Sequence, residues 1–143
     1  MNDSDDMKRQ MHAIYSKGNM VIRKFRRCSD NVKTVLFKAH CVNFYCCQLW
    51  SSFNKNMYSK VKVAYNNVFR HMFALNKQEH VSAHFVSKNV CTFDVAIRKA
   101  VFILMKRIEN SQNTVLSSIV NSRFYVLGSG LYTRWKKILF RFE

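Results

Sequence analysis

Hydrophobic residues recur at intervals of three and four along most of this chain, the spacing of one face of an α-helix. Met11, Ile14, Tyr15, Gly18, Val21, Ile22 and Phe25 form the first stripe and predict a helix over about residues 5–27. Asp5 and Asp6 stand where acids favour a helix start, and Arg26 and Arg27 where bases favour its end. Gly18 costs about 1 kcal/mol relative to Ala inside a helix, so it predicts a kink or a close packing contact. Ser29 is positioned to cap a second helix, with Asp30 in its first turn. Its apolar side is read as Val32, Val35, Leu36, Ala39, Val42, Tyr45, Cys46 and Leu49, with an end near Trp50–Ser52. A third helix follows from about Asn54, with Tyr58, Val61, Ala64, Tyr65, Val68, Phe69, Met72 and Phe73 spaced for one face.

The second half is less regular. Residues 76–91 read as irregular or as a short helix. Thr92 and Asp94 open a helix to about Asn110, and Asn113 caps a shorter one to about Ser122. Residues 123–127 fit a short strand, 128–130 form a glycine loop, and 131–142 form a last, basic helix. With no Pro and three Gly, few breakers interrupt these segments. The expected fold is all-α: a three-helix bundle over residues 1–78, then two or three further helices over 79–143.

Charge changes the picture more than composition does. A hydrophobic fraction of 48% is too high for a disordered tail. The net charge is +16, from 24 Lys and Arg against 8 Asp and Glu. Such a chain repels itself and calls for an anionic partner: nucleic acid first, then an acidic protein or an anionic membrane face. Residues 7–78 hold 14 Lys or Arg and a single acid, Asp30. No apolar run approaches the roughly 20 residues of a membrane span. Five cysteines and acidic, polar first residues lead to the expectation of a reducing, intracellular compartment, nucleus or cytoplasm.

Motifs for chemistry are weak. Cys41, Cys46 and Cys47 lie near His40 without the paired spacing of small zinc sites, and read as structural thiols. His80 and His84 lack the glutamate that a zinc-protease helix places between its histidines. Asp3, Asp5 and Asp6 read as a helix start, and no phosphate-cradling glycine motif occurs. The expectation is therefore no catalytic residue, no metal and no cofactor. Basic positions are the candidates: Arg23, Lys24, Arg26 and Arg27 at the end of the first helix, and Lys55, Lys60, Lys62 and Arg70 in the third. Arg134, Lys137 and Arg141 make a stripe on the last helix opposite Leu131, Trp135, Ile138 and Phe142. A solvated helix face is the bland reading of any one cluster. The last helix also fits a membrane-surface or partner-binding helix.

GNMVIRKFRRCSDNVKTVLFKAHC (18–41), FYCCQLW (44–50), KVAYNNVFRHMF (62–73), TFDVAIRK (92–99) and RWKKILF (134–140) resemble the C-terminal part of non-LTR (LINE-type) retrotransposon reverse transcriptases. The similarity runs over about residues 7–140 and is most specific over 19–73. It implies the helical thumb and the region that follows the palm, where a bundle grips template–primer duplex through its backbone. By that resemblance, Arg23, Lys24, Arg26, Arg27, Lys62 and Arg70 are duplex contacts. The family's endonuclease, fingers and palm, with the aromatic-x-Asp-Asp metal motif, have no counterpart here. The resemblance implies a non-catalytic remnant or co-opted piece of an RNA-directed DNA polymerase. Its expected partners are RNA or RNA–DNA hybrid, and the rest of a reverse transcriptase.

Overall fold

The structure, a computed structural model, describes residues 3–50, 54–126 and 131–140. The elements are α1 (Ser4–Phe25), α2 (Asp30–His40), a 3-10 turn (Cys47–Leu49), α3 (Lys55–Met72), α4 (Val81–Ser87), α5 (Phe93–Glu109), α6 (Thr114–Val120), α7 (Arg123–Val126) and α8 (Leu131–Leu139). The fold is all-α, and no strand occurs among the described residues. Two compact units divide the chain, residues 1–45 with 52–96, and residues 46–51 with 97–143.

The first unit is organised on the packing of α1 against α3. Met7, Gln10, Ile14, Gly18 and Val21 are the buried positions of α1. Val61, Ala64, Tyr65, Val68, Phe69 and Met72 are those of α3. Both sets follow the three-and-four spacing of a helix stripe. Gly18 marks the closest approach. A Cβ added there would run into the Cγ atoms of Val68, a buried, β-branched side chain with little freedom to move aside. The expected alternatives at Gly18 thus resolve to close packing.

Above α3 lies an aromatic cluster. Tyr65 meets Phe37 of α2 edge-on at 5.2 Å between centroids and stacks on Phe85 of α4 at 5.6 Å. Phe44 and Phe93 meet at 5.2 Å, also edge-on. Such pairs contribute about 0.5–1.5 kcal/mol beyond their buried area. The Tyr65 hydroxyl donates to the Cys91 carbonyl at 2.7 Å, so the ring brings its polar end to a partner. Burial holds that phenol above its usual ionisation range.

Helix ends follow local chemistry. The Asn54 side chain accepts from the Asn56 N–H, and the Asn113 side chain from those of Val115 and Leu116. Helix α3 stops on a left-handed residue, Ala74, with φ 52°. The Leu75 N–H donates to the Arg70 carbonyl at 3.0 Å, and that of Ala74 to the His71 carbonyl at 3.4 Å. Helix α4 ends the same way on Asn89, where the Val90 N–H reaches the Phe85 carbonyl at 2.8 Å. These are Schellman closures, which satisfy carbonyls that a helix end leaves open.

Three expectations are corrected. Helix α2 ends at His40, not near Trp50. Phe44 turns into the aromatic cluster while Tyr45 is 77% exposed, and Cys46 takes a left-handed backbone with φ 55°. The buried side of α2 is centred on Phe37, followed by Cys41 at its end, and Val35 is 66% exposed. The Phe37 ring packs edge-on against Phe69 as well as Tyr65, which sets that register. Residues 123–126 are helical rather than a strand. A lone strand leaves its backbone groups unpaired, whereas a turn pairs them locally, as when the Tyr125 N–H donates to the Ser122 carbonyl at 3.1 Å.

The second unit has its own core. Ile97, Val101 and Met105 on α5 are buried, as are Trp50, Tyr125 and Trp135. The Trp135 indole N–H donates to the Gln48 carbonyl at 3.1 Å, and the rings of Tyr125 and Tyr132 lie 5.5 Å apart.

Replacing Gly18 with Ala sets a helix-propensity gain of about 1 kcal/mol against an overpacking cost of about 1–3 kcal/mol. The expected result in a urea unfolding series is net destabilisation. The loss shrinks when Val68→Ala is present, because the overlap is then gone. Stabilisation by Gly18→Ala alone would contradict the close contact.

Candidate nucleic-acid interface

Four cations stand at the end of α1. Arg23 and Lys24 occupy its last turn, Arg26 is its C-cap, and Arg27 follows. All four side chains are exposed, and none has a salt-bridge or hydrogen-bond partner among the described residues. The helix dipole accounts for bases in the last turn, at about 0.3–1 kcal/mol each. That stabilisation fades beyond the last turn, so Arg27 has no such source.

The nearest acid in sequence, Asp30, is already engaged. Its carboxylate accepts from Lys88 at 2.6 Å, and Lys33 lies at 3.9 Å. The Lys88 hydrogen bond holds the Asp30 carboxyl below its usual range, against the opposing pull of burial. The same ammonium sits 4.5 Å above the Phe73 ring.

Arg23 and Arg26 border a cleft of about 580 Å³ in the first unit. Val21, Ile22 and Phe25 come to it from α1, Lys33 from α2, and His71, Met72 and Ala74 from the end of α3. The C-terminal ends of α1 and α3 thus meet at one basic recess whose lining contains no acid. The sequence alone does not mark His71, Lys33 and Met72 as site residues. For His71 a signal exists, since it is a basic residue in the last turn of α3.

The other candidates are placed differently. Lys62 pairs with Asp94 at 2.7 Å, and that carboxylate also accepts from the Tyr58 hydroxyl at 2.8 Å. This arrangement ties α3 to the first turn of α5. The Arg70 guanidinium donates to the carbonyls of Asn76 at 2.6 Å, Glu79 at 2.7 Å and Lys77 at 3.2 Å. It clamps the loop after α3, a role that its basic character alone does not reveal. Lys137 is exposed on α8 in the second unit. The side chain of Arg134, the glycine loop 128–130, and Arg141 and Phe142 lie outside the described residues.

Other chemistry has little geometric support. Among the described residues no three His, Cys, Asp or Glu side chains are grouped to hold a metal ion. Cys41 is buried, and desolvation pushes its thiol up to about 11, away from the reactive thiolate. His84 lies 2.9 Å from the Glu79 carboxylate, and His80 is the N-cap of α4. The apolar side of α8 is occupied at Trp135, which is buried within its own unit. No helix among the described residues is long and apolar enough to cross a membrane. Scans against protein-family models, curated proteins and solved structures find no match to this chain.

Arg70→Met removes three hydrogen bonds from a charged donor to backbone carbonyls. The expected cost is about 2–3 kcal/mol of stability, with faster hydrogen exchange over 76–79 and little change in nucleic-acid affinity. A drop in affinity with loop protection intact would make Arg70 a ligand contact instead of a clamp.

Proposed function

We propose that this chain is a non-catalytic nucleic-acid-binding module, a remnant or co-opted fragment of a retrotransposon reverse transcriptase that grips RNA or RNA–DNA duplex through backbone phosphates. The observation that carries the reading is the group of Arg23, Lys24, Arg26 and Arg27, exposed and without partners among the described residues at the end of α1. Cations that no carboxylate or carbonyl engages remain available to displace counterions from phosphates. The resemblance of residues 18–41 and 62–73 to the thumb region supports the same assignment, because those residues form α2 and the C-terminal parts of α1 and α3 that meet at the cleft. Within the first unit the reading centres on the α1 end with His71, because Lys62 and Arg70 already have contacts that serve the fold. Phosphate contacts carry no direct sequence information, so little base discrimination is expected. A docking or membrane-surface role led by α8 is less well supported, because Trp135 turns into its own unit.

Binding to an RNA–DNA hybrid, to duplex DNA and to single-stranded RNA over a salt series tests the proposal. The logarithm of affinity should fall steeply with the logarithm of salt concentration. Arg23→Glu with Arg27→Glu should flatten that slope by about 2, one for each phosphate no longer neutralised, with the helical circular dichroism unchanged. A folded chain that binds none of the three at low salt would refute the reading.

A further inference from the structure

The recess at the joined ends of α1 and α3 has an apolar wall as well as a charged rim. Val21 and Met72 are buried and Phe25 is half-buried, yet all three border the same cleft as Arg23, Arg26 and His71. A duplex backbone needs cations on a convex or grooved surface and has no use for a hydrophobic recess. An unstacked base has the complementary need: an apolar or aromatic surface for its face, worth more than the base's exposure to water. Guanidinium planes serve both ends of a nucleotide, stacking on the ring and forking onto the phosphate.

We propose that this cleft receives one unpaired nucleotide, its base against the half-buried Ile22 and Phe25 and its phosphate at Arg23, Arg26 and His71. The chain would then engage nucleic acid where a strand is single, at an overhang or a gap. This inference rests on the reading of the α1 end as a nucleic-acid contact and adds the strand feature that the same site takes. Size agrees: about 580 Å³ falls inside the 300–1,000 Å³ range of small-ligand sites. Charge agrees as well, because the lining carries Arg23, Arg26 and Lys33, with His71 beside them, and no carboxylate. Lys33 is the least available of the four, being shared with Asp30 at 3.9 Å. An anionic lipid is the competing occupant. It is less suited, since its acyl chain needs a long apolar channel and the apolar lining here is short, Val21, Ile22, Phe25, Met72 and Ala74.

The test compares the full chain's affinity for a blunt RNA–DNA hybrid with that for the same hybrid carrying a short single-stranded overhang. Adenosine monophosphate, inorganic phosphate and phosphatidylserine vesicles serve as separate probes. The expected result is about tenfold tighter binding of the overhang substrate, competed by the nucleotide and not by phosphate alone. Ile22→Trp, which fills the cleft, should bring the ratio of the two affinities to about one. His71→Ala, at an exposed position, should lower that ratio about threefold and carries the test if the first variant does not fold. Equal affinity for both hybrids in the unmodified chain, with a steep salt slope, would overturn the cleft inference and leave the phosphate-binding function standing. Binding to vesicles with none to either hybrid would overturn both.

Discussion

The contact of Gly18 with Val68 is the constraint on which the first unit depends. A bare Cα on α1 lets a β-branched side chain of α3 lie directly against its backbone. That approach sets the spacing between the two longest helices of the unit, Ser4–Phe25 and Lys55–Met72. Their buried stripes then run side by side, and their C-terminal ends arrive together at the recess bordered by Arg23 and His71. The residue that costs the isolated helix most thus permits the packing that brings the charged end of α1 beside the end of α3. Tertiary burial outweighs local propensity here, as it does for most helices in folded proteins.

A second feature is the division between cations that hold the fold and cations that do not. Lys62, Arg70 and Lys88 each face a carboxylate, a carbonyl or a ring within the first unit. They join α3 to α5, α3 to its own following loop, and the end of α4 to the start of α2. Arg23, Lys24, Arg26 and Arg27 form no such pairing among the described residues. A chain of net charge +16 carries a self-repulsion that folding does not relieve. Arg23, Lys24, Arg26 and Arg27 set four such cations within five positions, and an anionic ligand there would neutralise part of the repulsion.

Much of the fold was legible in the sequence, and what was not has physical causes. The α3 stripe of Val61, Ala64, Tyr65, Val68, Phe69 and Met72 is buried as its spacing predicts. Asn113 caps the helix it was expected to cap, and α3 begins after Asn54, where its start was expected. The break after His40 was not legible, because it depends on Phe44 reaching Phe93, 49 positions along the chain, and on an unusual left-handed Cys46. Ala74 was silent for a related reason: a left-handed helix stop is usually announced by Gly or Asn. At the candidate site, the cations of α1 were visible as a charge cluster. The cleft itself was not, since it joins Phe25 to Met72 from helices distant in sequence. The clamp made by Arg70 was likewise hidden, because its partners are carbonyls that only the turned loop presents.

The cations at the end of α1 are the proposed nucleic-acid-binding face. The most direct test of this proposal follows the backbone amide and arginine Nε–Hε signals of the isotope-labelled chain by NMR as an RNA–DNA hybrid is added. The largest shifts should fall on residues 22–27 and 71–74, with the Arg23 and Arg26 side chains among them and Arg70 still. Shifts centred on α8, or spread evenly over the basic residues with no focus at the α1 end, would contradict it.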